Sequence, residues 1–313
     1  MDFLANYFGS LNPMSFLSAL PGNIAQGIIW GLMGLGVFLT FKLLNFADLS
    51  VDGSFATGGA VTAVMLINGC PVWETIIVAI LAGLAAGLVT GLLHTLLGIP
   101  DILAGILTQI ALYSINLNIM GKSNLPISYR NYTLVVSASN INMAILVGLG
   151  ICAIVIAAMY WYFGTEQGST IRSTGSNPAM SKAQGININF TKVIALALSN
   201  GLVALSGSLF AQYQGFADIN MGRGAIVIGL AAVIIGEVLG EAIFRKHMNF
   251  IIRMLFVIVG GILYYRNGHR TLAQDADRRY KALHGNYRCN LPCSSISPEK
   301  EKDFIQESCK NEC

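Results

Sequence analysis

Side chains that could carry chemistry are concentrated in one short stretch of the chain, Leu43–Val61. Two carboxylates, Asp48 and Asp52, stand there among amide and hydroxyl side chains. A carboxylate can cap a helix, because its oxygens accept free N–H groups of the first turn. At membrane depth it would instead indicate a functional site, because buried charge is costly there. Both interpretations remain open for the candidate path or gate residues Asn45, Asp48, Asp52, Gly53 and Ser54.

A second set of polar side chains is scattered through apolar sequence. Gln109, Asn116 and Glu237 are the further candidates for the translocation path or gate. Gln109 and Asn116 lie seven positions apart, so they share one face of a helix. Glu237 is the strongest single candidate for a functional acid, although it falls near the end of its apolar run. Such residues most often join helices through hydrogen bonds. That interpretation applies equally to His94, Asn200, Gln212 and Gln214.

The sequence contains no recognisable catalytic constellation. The patterns H-E-x-x-H, G-x-S-x-G and G-x-x-x-x-G-K-[ST] do not occur. Of the six cysteines, four lie in the last 25 residues, and no C-x-x-C pair or His-rich cluster indicates a metal. We therefore expect a protein that is not an enzyme, holds no cofactor or metal and does not hydrolyse ATP by itself.

Long apolar runs are the elements that must position these residues. The chain is 54% hydrophobic and 11% charged, with a mean hydropathy of +0.62, against about 25% charge in soluble domains. A bilayer core needs roughly 20 apolar residues in helix, and backbone in lipid must satisfy its own hydrogen bonds. The sequence thus predicts an all-α, polytopic transmembrane bundle. Its eight spans are 23–43, 51–68, 74–98, 102–120, 142–163, 191–213, 223–243 and 249–266.

Two further features of these spans affect the architecture. The second span is short and begins with Asp52, Gly53 and Ser54, so it could be broken or partly re-entrant. The segments that begin with Phe46-Ala47-Asp48 and Phe216-Ala217-Asp218 both run into Gly/Ala-rich helices and fall on opposite sides of the membrane. This arrangement is what an inverted-topology repeat would give.

The distribution of basic residues predicts the orientation, because cytoplasmic loops are enriched in Lys and Arg. With the N-terminus outside, one side carries Lys42, Arg172, Lys182, Lys192, Arg245, Lys246 and His247. The opposite side then carries Lys122 and Arg130 before the eighth span. We therefore place the N-terminus outside and the long loop 164–190 in the cytoplasm.

That loop contains the signals of a short helix. Asn177 is suited to the N-cap and Pro178 to the first helical position, and Gly185 provides a stop. A short capped helix between two spans could dock into a groove on a cytoplasmic partner, whereas the simpler interpretation is an ordinary surface helix. Loops of this length are usually functional. The candidate docking residues are Asn177, Pro178, Ala179, Met180, Ser181, Lys182, Ala183, Gln184 and Gly185.

After Tyr265 the sequence becomes polar, charged and Cys-rich. Residues 266–313 could be a soluble tail, but we favour a reading-frame shift near codon 266. A frame advanced by one nucleotide can encode an apolar ninth span across Lys281–Cys293. It also turns Glu299–Lys302 into four consecutive basic residues, which would suit a cytoplasmic end. On this hypothesis the transmembrane domain as written covers 1–265, and 266–313 is an aberrant remainder of the last helices.

Two stretches of the chain resemble a known family. They are GLMGLGVFLTFKLLNFADLSVDGSFATGGAV near the start and AQGININFTKVIALALSNGLVALSGSLFAQYQGFADINMGRG later. Both are similar to permease subunits of ATP-binding-cassette importers of the branched-chain amino acid and ribose type. The resemblance is greatest to the subgroup associated with tryptophan or tyrosine uptake, and it covers about residues 20–265.

The resemblance implies a homodimer of permeases in the plasma membrane of a bacterium, two cytoplasmic ATPases that bind ATP and magnesium, and an extracellular solute-binding lipoprotein. It implies that 177–185 is the coupling helix and that Asn45–Ser54 lies near the path or gate. No nucleic-acid partner is expected. The sequence alone leaves one alternative, a secondary transporter driven by an ion gradient, for which Asp52 or Glu237 would have to supply an ion site.

Overall fold

The computed structural model describes residues 13–127, 134–137, 140–244 and 249–265. These ranges contain ten α-helices and one two-stranded ribbon. In chain order they are α1 Pro13–Phe38, α2 Val51–Ile67, α3 Val72–Leu96, α4 Asp101–Met120, β1 Asn124–Pro126, α5 Ile141–Phe163, α6 Glu166–Ser176, α7 Pro178–Ala183, α8 Ile188–Gln214, β2 Phe216–Asp218, α9 Ala225–Phe244 and α10 Phe250–Tyr265. A π-helical turn, Leu39–Leu43, extends α1.

The predicted helical bundle is confirmed. Each of the eight predicted spans corresponds to one helix, with bounds that agree to within about three residues, except that α1 begins at Pro13 and not at residue 23. Six of them are long and apolar enough to cross a membrane, whereas α2 and α10 are shorter apolar helices. The outer faces of α3, α4 and α5 remain apolar and exposed, which suits contact with lipid or with another subunit. The short strands pair antiparallel, with Leu125 opposite Ala217.

The second span is an unbroken helix, so the expected break does not lie within α2. The break lies before it, in residues 44–50, which carry the chain into the bundle. The hydroxyl oxygen of Ser50, the residue preceding α2, lies 3.2 Å from the amide oxygen of Asn200, in the middle of α8. Because α2 starts at this depth, its 17 residues, about 25 Å of helix, reach only from the bundle interior to one end.

Helix α9 also starts inside the bundle. Gly229, in its second turn, packs against Met33 and Val37, which lie within the candidate membrane span Leu20–Leu43 and not at its end. The segment 215–224 therefore enters the bundle from the end opposite to 44–50.

An inverted repeat accounts for the matching positions of α2 and α9, which both start inside the bundle. Helices α1 and α8 run antiparallel, since Ser206 donates to the carbonyl of Ile29 and Ser199 donates to that of Gly36. Helix α10 packs on α1 through Gly27 and Gly31. Helix α3 packs on α8 at the corresponding level, where Gly87 meets Leu196 and Ala197. The likeness of the two Phe-Ala-Asp joints therefore extends to the helix packing around them.

The loop 164–190 contains more structure than the sequence predicted. Helix α7 is confirmed, but an additional 11-residue helix, α6, precedes it. Thr165 caps α6 by accepting the N–H of Gly168. Its buried face carries Gly168, Ile171 and Thr174. Helix α6 could not be predicted from the sequence, because glycine, serine and threonine are weak helix formers and tertiary packing compensates for them here.

All described residues belong to the compact unit Met1–Asn267. The proposed frame-shifted remainder, residues 266–313, lies outside the described residues, as do Arg130, Arg245, Lys246 and His247.

Helix α2 lies so close to α8 that a methyl group at Gly58 would stand 2.0 Å from the carbonyl oxygen of Ala204. We expect Gly58→Ala to force these helices apart and to destabilise the bundle by about 1–3 kcal/mol. Thermal unfolding in detergent, followed by size-exclusion chromatography, measures the effect. Gly150→Ala is the matched control, because a Cβ there meets nothing within 4 Å. Equal melting temperatures for the two variants would contradict the close packing of α2.

Candidate functional site: a pocket between α2, α4 and the segment before α9

A pocket of about 300 Å³ opens where the start of α2 meets α4 and the segment before α9. It brings together residues from three separate parts of the chain. They are Asp52, Gly53 and Ala56 from α2, Gln109, Ile110, Tyr113 and Asn116 from α4, and Ile219, Asn220 and Arg223 from the third segment. Four of the candidate path residues, Asp52, Gly53, Gln109 and Asn116, thus lie in one place.

Asp52 joins the starts of two helices. It lies in the first turn of α2, while its two oxygens accept the N–H groups of Gly224 and Ile226, at 3.0 and 2.9 Å. These donors belong to the start of α9, where free N–H groups favour a negative charge. The expected capping role of Asp52 therefore holds for α9, a different helix from the one considered in the sequence. Because Asp52 also lines the pocket, capping and path lining are both compatible with its position.

One face of α4 supplies the opposite wall. Gln109, Tyr113 and Asn116 follow each other at helical spacing and all line the pocket. Tyr113 is 45% exposed and Asn116 is 0% exposed. Neither the amide nitrogen nor the amide oxygen of Asn116 has a hydrogen-bond partner. A fully buried amide without partners is unusual in a folded protein and marks a place where a bound group can supply the missing hydrogen bonds.

Arg223 lines the pocket from the third segment and is exposed. Residues 218–225 form successive turns, in which Asp218 accepts the N–H of Met221 and Gly222 accepts that of Ala225. The predicted seventh span began at 223, but α9 begins at Ala225. Arg223 is therefore a further basic residue on the side that was assigned Lys122 and Arg130. The ion pairs of the described residues do not include Arg223.

Asp48 lies in a different environment, a buried polar cluster within the bundle. Its carboxylate accepts the backbone N–H and the hydroxyl of Ser50, and the side-chain amide of Asn200 donates to it at 2.7 Å. These three residues are 0–2% exposed. Because they satisfy one another, they serve as the connection between the segment 44–50 and α8.

The remaining candidates of this stretch lie outside the pocket. Asn45 is exposed and has a positive φ of 54°, a conformation that asparagine tolerates better than most residues. It turns the chain from the end of α1 towards Phe46. Ser54 is fully buried, and its hydroxyl has no hydrogen-bond partner.

Glu237 belongs to an ion cluster that links three helices. Its carboxylate lies 2.9 Å from the ammonium of Lys42 at the end of α1 and 3.5 Å from the guanidinium of Arg253 in α10. Glu237 does not line the pocket. Its partners explain how an acid is accommodated in an apolar helix, and they assign it to helix packing.

The candidate docking helix, α7, lies on the surface. Asn177 accepts the N–H of Met180 at 3.1 Å, as an N-cap does. Gly185, with a φ of +83°, follows the end of the helix. Ser181 is buried, whereas the other residues of the segment 177–185 are exposed, including Met180 at 59%.

Three pocket residues, Tyr113, Asn220 and Arg223, were not among the candidates from the sequence. Tyr113 could have been found, because it lies on the same helical face between Gln109 and Asn116. Arg223 and Asn220 could not, because their position depends on how deeply the segment 215–224 enters the bundle.

The fold and the polar interior define the class of this chain as a multi-pass membrane protein with a solute-sized pocket. A family model described as "Branched-chain amino acid transport system / permease component" matches residues 22–268. The chain belongs to this permease family, as its resemblance predicted, and is thus a multi-pass protein of a bacterial cell membrane.

Individual relatives give the same result. A tyrosine transport system permease protein of Clostridioides difficile is 42% identical over 79% of this chain and 81% of the relative. An uncharacterised protein of Rickettsia prowazekii is 32% identical over 77% of this chain and 84% of the relative. A D-allose transport system permease protein of Escherichia coli is 24% identical over 82% of this chain and 77% of the relative. The two relatives whose names state a role, those of Clostridioides difficile and Escherichia coli, are both transport system permease proteins.

The Asp48–Asn200 contact generates a stability prediction. Asn200→Ala removes the donor to a buried carboxylate, and loss of a hydrogen bond to a buried charged group costs about 1.5–3 kcal/mol. We expect a lower melting temperature of the detergent-solubilised protein. Asn118→Ala, at an exposed position of α4, controls for removal of an amide. If both variants melt like the unsubstituted protein, Asp48 is not held by this cluster.

Proposed function

We propose that this chain is the membrane-spanning permease subunit of an ATP-driven importer whose solute is an amino acid or a related small compound. Two copies would form the membrane path, two cytoplasmic ATPases would bind ATP and magnesium, and an extracellular lipoprotein would deliver the solute. Membership of the permease family and the tyrosine transport relative support this proposal.

The observation that carries the proposal is the form of α7. A six-residue helix, capped by Asn177 and ended before Gly185, presents nearly all of its side chains to solvent. An exposed Met180 is suited to a protein contact, because methionine adapts to the shape of a partner. We assign α7 as the coupling helix that seats in a cleft of the ATPase.

A continuous set of contacts would carry movement of α7 into the bundle. Helix α6 adjoins α7, and Gly175 near its end packs on the backbone of Leu43 and Leu44. Leu44 is the first residue of the segment 44–50. Within that segment, Asp48 accepts a hydrogen bond from the side-chain amide of Asn200 in α8. Displacement of α6 and α7 would therefore reach the segment before α2, and through α2 it would reach the pocket.

The orientation follows from the same assignment. An ATPase docks from the cytoplasm, so α7 and the residues 44–50 would face the cytoplasm and the N-terminus would lie outside. Arg172, Lys182 and Lys192 then lie near the cytoplasmic face, in keeping with the preference of basic residues for that side.

The alternative, a secondary transporter, requires an ion site within the membrane. Its two candidates are Asp52 and Glu237. Glu237 is paired with Lys42 and Arg253, so Asp52 alone would have to bind the ion. The family match and the tyrosine transport relative favour the importer over the alternative.

The docking role of α7 can be tested by placing a charge on it. We expect Met180→Glu to reduce co-purification of the ATPase and ATP-driven uptake of labelled tyrosine, because the carboxylate would be buried against the partner. Ser169→Glu introduces the same side chain at an exposed position of α6 and should leave both unchanged. Normal uptake and co-purification in Met180→Glu would refute the assignment of α7.

The transmission route has its own test at Gly175. A Cβ at this position would stand 1.9 Å from the carbonyl oxygen of Leu43, so Gly175→Ala should displace α6 from the end of α1. We expect the ATPase to remain bound while uptake per hydrolysed ATP falls severalfold. A fall of this size corresponds to the loss of about 1 kcal/mol of coupling free energy. Gly150→Ala is the control. Unchanged uptake per ATP in Gly175→Ala would show that movement does not pass through this contact.

A further inference from the structure

We propose that the pocket between α2, α4 and the segment before α9 binds a zwitterionic α-amino acid, with the carboxylate at Arg223 and the ammonium group at Asp52. This inference rests on the proposed function and assigns the part of the path that contacts the solute. Two of its residues, Arg223 and Tyr113, were not among the candidates from the sequence.

Arg223 provides a free cation. Its side chain lines the pocket, and the hydrogen bonds and ion pairs found for the described residues leave its guanidinium unused. A guanidinium offers two parallel N–H donors, which match the two oxygens of a carboxylate. Arg223 is exposed at the pocket, so a solute that enters the pocket can reach its guanidinium.

Asp52 provides the opposite charge. A carboxylate has about four positions at which it can accept a hydrogen bond, and the backbone of α9 uses two of them. Asp52 and Arg223 line the same pocket without forming an ion pair with each other. A solute that carries both charges can pair with both residues at once, whereas an amine or a carboxylic acid can pair with only one.

Asn116 supplies independent evidence that a polar ligand enters. Both polar atoms of its side chain are buried and unpartnered, and the side chain lines the pocket. A bound solute with donors and acceptors would satisfy this amide. Nothing in helix packing requires an asparagine at a position where its amide is left without partners.

The rest of the pocket fits the side chain of the solute. Ile110, Tyr113 and Ala56 give an apolar and aromatic wall beside the charged groups. The volume of about 300 Å³ is at the lower end of small-molecule pockets, which span roughly 300–1,000 Å³. This size suits a single amino acid.

The first test measures ATP-driven uptake of labelled tyrosine in cells that carry each variant in place of the native copy. We expect Arg223→Gln to lower uptake efficiency roughly 10- to 100-fold, the range given by loss of a hydrogen bond to a charged group, and Arg223→Lys to restore part of it. Lys122→Gln removes a cation at an exposed position outside the pocket and should leave uptake unchanged. Co-purification of the ATPase shows that each variant is assembled.

The outcomes separate the two proposals. If the unsubstituted protein imports no tyrosine, the proposed function fails for this solute. If it imports tyrosine and assembled Arg223→Gln does so as well as Lys122→Gln, the assignment of the pocket is overturned.

The second test reports binding directly and does not depend on the activity of the Arg223 variants. In the purified complex, Asn220→Cys places a thiol in the pocket wall, and maleimide labelling at this position is followed by peptide mass spectrometry. We expect tyrosine to protect the thiol more than tyramine, which lacks the carboxylate, or 3-(4-hydroxyphenyl)propanoate, which lacks the amine. Equal protection by all three compounds, or none by tyrosine, would overturn the recognition of a zwitterion.

Discussion

Two stretches of non-helical backbone lie within the depth of the bundle, and the rest of the structure depends on satisfying their polar groups. Lipid offers no hydrogen bonds, so such backbone is tolerated only where protein or a water-filled cavity surrounds it. The segment 44–50 is held by Asp48, Ser50 and Asn200. The start of α9, after the segment 215–224, is held by the carboxylate of Asp52. One carboxylate at each break therefore fixes where α2 and α9 begin.

This arrangement also creates the site. Because α2 and α9 start inside the bundle, their first turns meet beside α4, and Asp52, Arg223 and Asn116 come together there. The polar residues that bind the non-helical backbone of the segments 44–50 and 215–224 therefore lie next to polar residues that can bind a solute. Asp48 belongs to the first group, since its oxygens are occupied, whereas Arg223 and Asn116 belong to the second. Asp52 contributes to both, which explains why a cap and a path residue were equally good interpretations of its sequence context.

The helices could be predicted from the sequence because apolar runs of membrane length have few alternatives. Asp52, Gln109 and Asn116 could be singled out from the sequence, since each is a polar residue at a helical position that lipid disfavours. Their convergence in one pocket could not, because it depends on how α2 and α4 pack. Helix α6 was missed because packing, rather than helix propensity, stabilises it. Arg223 was missed because its depth depends on the path of the segment before α9, to which local sequence gives no guide. Glu237 was a path candidate because it is an acid within an apolar run. Its ion pairs with Lys42 and Arg253 could not be predicted, because these partners are distant in sequence.

The central claim is that ATP hydrolysis by partner subunits drives solute through this chain, and the energy source is the property to measure. The complex purified from its native membrane can be reconstituted into liposomes, with labelled tyrosine and the binding lipoprotein outside and ATP inside. We predict uptake that requires internal ATP and continues when ionophores collapse the proton and sodium gradients. Uptake by the chain alone, without ATPase subunits, that stops when the gradients are collapsed would contradict the account and establish a secondary transporter.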